Sequence, residues 1–362
     1  MRNVIRLSEM TNVLMQKFGF IKIAIHRWPD SFSDKWIEFC EENNIAYKLV
    51  DCYASDIIEQ IKSFDALFWH WHHADAGAVL FARQLIASVA KMGIKVFPNI
   101  DTCWHFDDKV GQKYLLEAVN APLVPTYIFY DKQKAIDWAA KTIFPKVFKL
   151  RCGAGSENVR IVRDSIHAGK LIDQAFGKGF AVKNRLYFLR ERLWHFKRDK
   201  NLKTLFDISK GLVRLIIPKD AERLSPRERN YIYFQEFIPD NDCDIRIIVI
   251  GRRAFGIKRM VRKGDFRASG SGRIIYDPSQ IPQECIKIAF EVSQKLRPQS
   301  LAYDFVFQNG VPLLVEVSYA FSHRGYLPCP GYWDDNFVWY NGKFTPEWFM
   351  IEDLLGDICE SK

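Results

Sequence analysis

A lysine followed by a glycine-rich turn, in the segment KVFKLRCGAGSENV (residues 146–159), is the first candidate for chemistry. Lys149 ends an apolar strand, and Gly153 and Gly155 allow a tight turn with exposed backbone N–H groups. Such N–H groups, together with an ammonium group, can bind the oxygens of a triphosphate. In a P-loop, by contrast, the lysine follows the last glycine. The segment therefore predicts either a phosphate site of another design or a β-hairpin with an exposed lysine.

The second candidate is a pair of carboxylates, Asp304 and Glu316, on two nearly continuous apolar runs. The Asn309-Gly310 dipeptide between them predicts a β-hairpin. A two-residue loop would turn Glu316 to the other side, whereas a three-residue loop (308–310) would bring both acids to one face. Carboxylates buried in apolar runs need a partner, so we expect the three-residue loop, which places both acids on one face where they could share a partner. The alternative is two solvated carboxylates on an exposed sheet face.

The elements that position these residues begin with a regular alternation of strand and helix in residues 21–100. IKIAIH (21–26) predicts a buried strand, and SDKWIEFCEENN (33–44) predicts a helix with Ser33 as its N-cap. This alternation is typical of βαβ units, hence of a mostly parallel sheet with helices on both faces. We therefore predict an N-terminal parallel α/β domain at residues 1–105.

The remaining chain predicts two further lobes. Residues 106–230 indicate a smaller α+β unit that contains the glycine turn and a basic, aromatic stretch at 183–204. Residues 231–362 turn β-rich and contain the acidic pair, followed by a Gly-, Pro- and Trp-rich tail. The predicted fold class is α/β and α+β.

The charge and the cysteine content of the chain indicate what kind of partner it binds and in which compartment it works. The chain has 362 residues and a formal net charge of +9. Its pI near 9.0 favours an acidic partner, such as a nucleotide, a uronic substrate, nucleic acid or an anionic membrane surface. The eight cysteines are scattered singly, as is typical of reduced thiols. We recognise neither a signal peptide nor an apolar run of about 18 residues, and so predict a cytoplasmic protein without a transmembrane segment.

Several short motifs follow one another along the chain in a recognisable order. A lysine pair comes first, then a strand-ending segment, then two acids. They are Asp108-Lys109, Lys149, QEFI (235–238), DIR (244–246), Asp304 and Glu316. In this order, from about residue 108 to 318, the chain resembles ATP-grasp enzymes. It looks most like the branch that holds glutathione synthetases and the ligases that add glutamate to a ribosomal protein. The resemblance implies a two-lobed ATP-grasp fold after the N-terminal domain, with ATP and Mg²⁺ between the lobes.

The resemblance also implies roles for individual residues. The nucleotide contacts would be Lys109 and Lys149 to the α- and β-phosphates, Gly153, Gly155 and Ser156 in a closing loop, backbone groups of Glu236 and Ile238 at the adenine edge, and Asp244 at the ribose hydroxyls. The Mg²⁺ ligands would be Asp304, Glu316 and Ser318.

Ser318 departs from the family pattern, which usually has an asparagine two residues after the second acid. A serine hydroxyl is a shorter and weaker metal ligand than an amide oxygen. Either one metal site is altered or water fills the gap. Related proteins from polysaccharide gene clusters have a similar serine and a following CPGYW, here residues 329–333.

Three arginines, Arg246, Arg259 and Arg267, are the catalytic candidates. In the family such arginines hold the transferring phosphoryl group and the acyl phosphate. Fixed guanidinium groups stabilise the charge that spreads over phosphate oxygens in the transition state. The alternative is a basic surface on an already basic protein.

Two further features stay open at this point. His70 and His72 share a face at the end of a predicted strand. They could bind zinc as a pair, form a polar wall of the substrate site, or have a structural role. His323 and Arg324 could contact the substrate or hold the C-terminal tail in place. The stretch 183–204 is consistent with a nucleic-acid face, an anionic-membrane helix, a guide for an acidic polysaccharide, or a solvated helix.

From this resemblance we expect an ATP-dependent ligase that forms an amide bond between a carboxylate, such as a sugar uronate, and an amine through an acyl phosphate. The alternatives are a protein-tail glutamate ligase and a non-catalytic nucleotide- or glycan-binding protein. The expected partners are small-molecule or saccharide carboxylates and amines, with an acidic polymer as a candidate and nucleic acid not expected.

Overall fold

The computed structural model describes residue 18 and residues 20–73, 75–153, 158–182, 185–216, 222, 226–262, 266–268 and 270–361. These residues form one parallel and two antiparallel sheets with helices around them. No helix in these ranges is both long and apolar enough to cross a membrane. The predicted mixture of α/β and α+β architecture is confirmed.

The N-terminal sheet is parallel and has the order β2-β1-β3-β4. Its strands are β1 (Ile23–His26), β2 (Tyr47–Val50), β3 (Ala66–Trp69) and β4 (Lys95–Phe97). The helices that alternate with and follow them are α1 (Phe32–Glu42), α2 (Ile57–Ile61), α3 (Ala76–Lys91) and α4 (Ile100–Cys103). The predicted N-cap was wrong by two residues: Ser31, not Ser33, caps α1 and accepts a hydrogen bond from the Ser33 amide, because Ser33 already lies inside the first turn.

The central lobe is built on an antiparallel sheet of order β5-β8-β6-β7. Its strands are β5 (Thr126–Phe129), β6 (Lys146–Lys149), β7 (Arg160–Val162) and β8 (Ile232–Glu236), and its helices are α5 (Lys109–Ala118), α6 (Lys132–Lys141) and α7 (Ser165–Ala175). Phe148, Phe234 and Ile172 contribute to a core that belongs to this lobe. Because β8 lies in the middle of the sheet, the lobe extends to Glu236, past the domain boundary expected at residue 230.

Two consecutive helices, α8 (Arg185–Asp199) and α9 (Leu202–Ile216), pack against each other between α7 and β8 in the chain. Their contact is close, since a Cβ on Gly211 would lie 3.0 Å from Leu189 Cδ1. We call this pair the helical hairpin. It contains most of the basic, aromatic stretch at 183–204, of which Lys183 and Asn184 lie outside the described residues.

The third sheet is antiparallel, with the order β13-β12-β9-β10-β14-β15 and β11 paired to β10. Its strands are β9 (Cys243–Ile250), β10 (Arg253–Met260), β11 (Ile274–Ile275), β12 (Ser300–Gln308), β13 (Val311–Ser318), β14 (Gly331–Asp334) and β15 (Trp339–Asn341). The helices α10 (Gln283–Leu296) and α11 (Pro346–Ser361) and two short 3₁₀ turns, Pro278–Gln280 and His323–Gly325, complete the lobe.

The β12–β13 hairpin closes differently from the prediction. Asn309 and Gly310, both at positive φ, form a two-residue turn, so the expected three-residue loop is wrong. The register then shifts between Asp304 and Phe305, which leaves Val315 as a bulge and pairs Asp304 directly with Glu316. The extra residue lies in the strand rather than in the loop. The bulge brings the two acids to one face, as predicted, but as a direct pair rather than as diagonal neighbours.

The N-terminal domain and the third sheet share their hydrophobic core. Trp69 and Ile86 pack in one cluster with Tyr303 of β12, and Trp36 belongs to another with Ile351 of α11. The Tyr319 hydroxyl also donates to the Trp71 carbonyl oxygen at 2.6 Å. Since the central lobe has its own core, a cleft remains between it and this shared body.

Candidate active site

A cleft of about 1080 Å³ lies where the three sheets meet. The four residues on which the nucleotide prediction depends all line it: Lys109, Lys149, Asp304 and Glu316. Its walls also include Val124 and Val147 from the central lobe and Val306 from β12. The structure therefore brings together the lysines of one lobe and the acids of the other in a single space.

Lys149 ends β6 with its side chain buried. Its ammonium group donates to Gln235 Oε1 at 2.6 Å, and Gln235 Nε2 in turn donates to Thr126 Oγ1 at 3.0 Å. Burial lowers the pKa of Lys149 to about 8, although Glu316 and Asp304 favour its charged form. Among the described residues its one hydrogen-bond partner is a neutral amide, so its positive charge is poorly compensated.

Lys109 begins α5, whose N-terminus is capped by the Asp108 carboxylate through the Gly111 amide at 2.9 Å. The Lys109 ammonium group donates to the Gly153 carbonyl oxygen at 2.7 Å and lies 3.2 Å from Glu316 Oε1. Burial opposes its charge, but Glu316 and then Asp107 outweigh that effect and raise the pKa of Lys109. Lys109 thus keeps its charge through a carboxylate that belongs to the opposite lobe.

The arginines of β9 and β10 are already paired with acids. Arg246 donates from Nε and Nη2 to the two oxygens of Asp304 at 2.5 and 2.6 Å. Arg259 makes the same two-pronged contact with Asp244 at 2.6 and 2.7 Å and lies 3.0 Å from Asp304. Burial would raise the pKa of Asp304, but Arg246 and Arg259 reverse this and hold it well below its usual value.

Glu316 and Asp304 offer oxygen ligands that suit a magnesium ion. Both Asp304 oxygens accept from Arg246, yet a carboxylate has about four lone-pair positions and can accept more. Glu316 is a third exposed toward the cleft. Ser318 also lines the cleft, but its hydroxyl donates to the Ala320 carbonyl oxygen at 2.9 Å. Since Mg²⁺ commonly uses one or two carboxylates plus phosphates and water, this donor set fits it.

The expected adenine contact, Glu236 and Ile238, lies at the end of β8 and lines the cleft. The Glu236 amide already donates to the Pro125 carbonyl oxygen at 2.9 Å. Its carboxylate is also occupied, by Lys146 at 2.5 Å and the Tyr127 hydroxyl at 3.0 Å. Because the N–H of Glu236 is already engaged, its backbone carbonyl group is better placed than its N–H group to contact an adenine edge.

Asp244, expected at the ribose, has both oxygens engaged by Arg259. Two neighbouring acids that the sequence reasoning passed over, Asp240 and Asp242, also line the cleft and are exposed. The alternating acids in PDNDCD (239–244) were the signal that could have raised them as candidates.

The remaining predicted contacts lie around the cleft mouth. Gly153, at φ 123°, donates its N–H to Asp107 Oδ1 at 2.7 Å and lines the cleft. Gly155 and Ser156 lie outside the described residues. Arg267 lines the cleft on the short described stretch 266–268.

The N-terminal domain closes the far end of the cleft with His70, His72 and His73. The Phe32 amide donates to His70 Nδ1 at 3.2 Å, which requires the proton on Nε2 when the ring is neutral. Burial, followed by the neighbouring His72 and His323, lowers the pKa of His70 well below its usual value. Its Nε2 is buried and has no hydrogen-bond partner among the described residues. His70 is therefore a neutral donor at the cleft wall.

A zinc site at these histidines has no support. Among the described residues, no group of three or more His, Cys, Asp or Glu side chains is arranged to hold a metal ion. His73 Nδ1 instead lies 3.3 Å from Asp107 Oδ1. Arg324 is paired with Asp30 of the N-terminal domain, and His323 lines the cleft beside it.

A comparison with protein families gives a match to the part of the chain that contains the β-rich wall of the cleft. Residues 208–325 match the model of the RimK-like ATP-grasp domain. This part of the chain matches an ATP-grasp domain. The match supports the predicted resemblance to ATP-grasp enzymes over these residues. A comparison with curated protein sequences gives no significant match.

Solved structures resemble the ATP-grasp domain together with the N-terminal domain. A RimK domain protein of Sphaerobacter thermophilus is 17% identical, with a TM-score of 0.51, and covers 92% of this chain and 99% of its own. D-alanine–D-alanine ligase of Bacillus anthracis, solved with ATP, is 13% identical, with a TM-score of 0.55 and coverage of 94% and 98%. D-cycloserine synthetase is also 13% identical, with a TM-score of 0.55 and coverage of 93% and 99%. At these identities the likeness shows the fold.

Proposed function

We propose that the cleft binds Mg·ATP and transfers its γ-phosphoryl group to a substrate carboxylate, giving an acyl phosphate that an amine then converts to an amide. The observation that carries this proposal is the buried, poorly compensated Lys149 in one cleft with Lys109, Asp304 and Glu316. A buried charge without a carboxylate partner is costly, and a phosphate oxygen is the partner it lacks.

The proposed reaction has two steps. A carboxylate oxygen attacks the γ-phosphorus, and the bond from that phosphorus to the β-phosphate oxygen breaks to release ADP. The amine nitrogen then attacks the acyl carbon, the carbon–oxygen bond to the phosphate breaks, and the nitrogen loses a proton. The phosphate leaves with one oxygen that came from the carboxylate.

The residues of the chain would divide this work by position. Lys109 and Lys149 would bind and orient the phosphates, as fixed ammonium groups at the central lobe. Arg246 and Arg259 would stabilise the charge of the transferring group, since their guanidinium groups are held rigidly by acids. Magnesium, held by Glu316 and Asp304, would neutralise phosphate charge.

We propose that one end of the substrate lies at the N-terminal wall of the cleft. A neutral His70 with its Nε2–H at the cleft wall suits an acceptor oxygen of the substrate. This favours substrates with a carboxylate or hydroxyl at that end. The sugar uronate and the protein-tail glutamate remain predictions from sequence resemblance.

An isotope experiment tests the acyl-phosphate step. The chain is incubated with ATP, Mg²⁺ and a panel of amines with ¹⁸O-labelled carboxylates, among them uronic acids and glutamate. We expect ADP release that requires both substrates and Mg²⁺, and one ¹⁸O atom in the released phosphate. Phosphate without ¹⁸O would contradict the step. Binding of ATP without ADP release across the panel would favour a non-catalytic nucleotide-binding protein.

A further inference from the structure

The helical hairpin exposes an apolar stripe on one side of α9. Its members lie on α9 with spacings of three, four and seven residues and are strongly exposed: Leu202 (85%), Leu205 (49%), Phe206 (61%), Leu212 (52%) and Val213 (56%). These spacings bring the side chains to one side of a helix. Large exposed apolar stripes of this kind usually mark a surface that contacts something apolar.

The stripe is not the face by which α9 packs on α8. That contact is made by the side that carries Gly211, which lies against Leu189 and Arg192. Arg192 Nη1 also donates to the Asp207 carbonyl oxygen at 2.7 Å. The helix thus has one side for its partner helix and a second apolar side turned away from it.

The hairpin is also strongly basic. Residues 185–216 contain nine basic and three acidic residues, hence a net charge of +6 out of +9 for the whole sequence. Lys197 and Lys210 are both exposed there. A helix with Leu and Phe on one side and Lys or Arg on another has the character of a helix that lies in a membrane interface.

We propose that the helical hairpin docks on an anionic lipid surface, with the α9 stripe in the headgroup region and the basic side chains on lipid phosphates. Charge complementarity favours this occupant over a second copy of the chain, because a symmetric dimer would bring two hairpins of +6 together. It also favours lipid over nucleic acid, which would neutralise the basic groups but leave the aliphatic stripe in water. The proposal is independent of the reaction proposed for the cleft.

The hairpin is joined firmly to the cleft. Arg262 donates to both oxygens of Glu191 on α8, at 2.9 and 2.8 Å, and its guanidinium lies 4.2 Å from the Trp194 ring centre. Arg262 directly follows Val261, and both Val261 and Arg267 line the cleft. A docked hairpin would therefore hold the cleft close to the lipid surface.

The test is flotation of the full chain with lipid vesicles. Vesicles of phosphatidylcholine alone are compared with vesicles that also contain phosphatidylglycerol, at low and at high salt. We expect binding to the anionic vesicles and a loss of that binding as salt increases. Absence of binding to the anionic vesicles would overturn the proposal.

A matched pair of variants locates the contact. Phe206→Ser with Leu212→Ser is expected to weaken vesicle binding by at least about tenfold, because each buried apolar side chain contributes that much or more. The control, Ile143→Ser with Ile166→Ser, removes side chains that are 84% and 72% exposed on the central lobe and should bind as the parent does. Circular dichroism checks that both variants keep their helices.

Three results would contradict the proposal. One is vesicle binding that survives Phe206→Ser with Leu212→Ser, which would exclude the stripe. Another is a dimer of the free chain, measured by sedimentation, that the same variant dissociates, which would make a second copy the occupant. The third is binding of an RNA oligonucleotide that competes with vesicles and is unchanged by the variant.

Discussion

The two sides of the cleft carry positive charge in different ways. On the central lobe, Lys149 donates to the neutral side chain of Gln235, and burial lowers its pKa to about 8. On the third sheet, Arg246 and Arg259 each hold a carboxylate through two hydrogen bonds. Within the part of the chain that the structure describes, Lys149 therefore has no carboxylate as a hydrogen-bond partner, whereas Arg246 and Arg259 each have one.

This difference indicates which side gains most from a phosphate. An unpaired buried ammonium group is stabilised directly when an anion arrives, so binding energy should concentrate at Lys149. A buried arginine–carboxylate pair is already compensated, and its value lies in fixed orientation. We therefore expect the lysine side to govern nucleotide affinity and the arginine–acid side to govern turnover.

The largest expected effect is on affinity at the lysine side. Lys149→Met should weaken Mg·ATP binding by about 10³-fold or more, because it removes the poorly compensated charge. The matched control is Lys146→Met, since Lys146 is on the same strand and equally buried but pairs with Glu236. Calorimetric titration should show parent-like Mg·ATP affinity for this control and almost none for Lys149→Met. Equal affinities of the two variants would contradict a special role of Lys149 in binding phosphate.

Glu316→Gln tests the acidic side. It should reduce ADP release by about 10²-fold while changing nucleotide affinity by less than about tenfold, because the metal ligand is lost but the lysines remain. Glu117→Gln, an exposed acid paired with Lys113, serves as the control. Full turnover in Glu316→Gln would show that this carboxylate holds no catalytic metal.

Arg246→Lys tests whether the fixed orientation of the Arg246 guanidinium group matters in addition to its charge. A lysine keeps the charge but cannot make the two-pronged contact with Asp304, so turnover should fall by about 10²-fold with affinity nearly unchanged. Arg252 makes the same kind of contact with Asp335 on the surface, at 2.6 and 3.0 Å, and is 78% exposed. Arg252→Lys should leave turnover unchanged; a similar loss in both would mean that the Arg246 contact has no special role.

A smaller effect is expected from pH. The Lys149 pKa of about 8 lies below that of an ordinary lysine, and the neutral amine cannot pair with phosphate. ADP affinity should therefore fall by about tenfold between pH 7 and pH 9, as the ammonium loses its proton. In Lys149→Arg, whose guanidinium stays charged, this pH dependence should disappear. Affinity of the parent that is flat across the range would show that Lys149 stays charged in the fold.

The sequence was sufficient for the elements and for the order of the charged residues. Alternating apolar strands and helices predicted the parallel N-terminal sheet, and β12 and β13 followed from their apolar runs. The shared face of Asp304 and Glu316 was predicted for the wrong reason, because a bulge at Val315 leaves no mark in a continuous apolar run.

Partners across the sheet were harder to predict than positions along it. That Arg259 holds Asp244 depends on the register of β9 and β10, in which these two residues are opposite each other. Likewise, the His70 tautomer is set by the Phe32 amide, which is far away in sequence. Such contacts depend on tertiary packing, which local patterns do not encode.

Affinity labelling tests most directly whether Lys149 and Lys109 bind the phosphates of ATP. An acyl-phosphate derivative of ATP places a reactive carbonyl at the phosphates, where a lysine with a lowered pKa is an effective nucleophile. We expect mass spectrometry to find the acyl group on Lys149 or Lys109, and excess ATP to prevent the labelling. Labelling confined to exposed lysines such as Lys197, unaffected by ATP, would contradict this expectation.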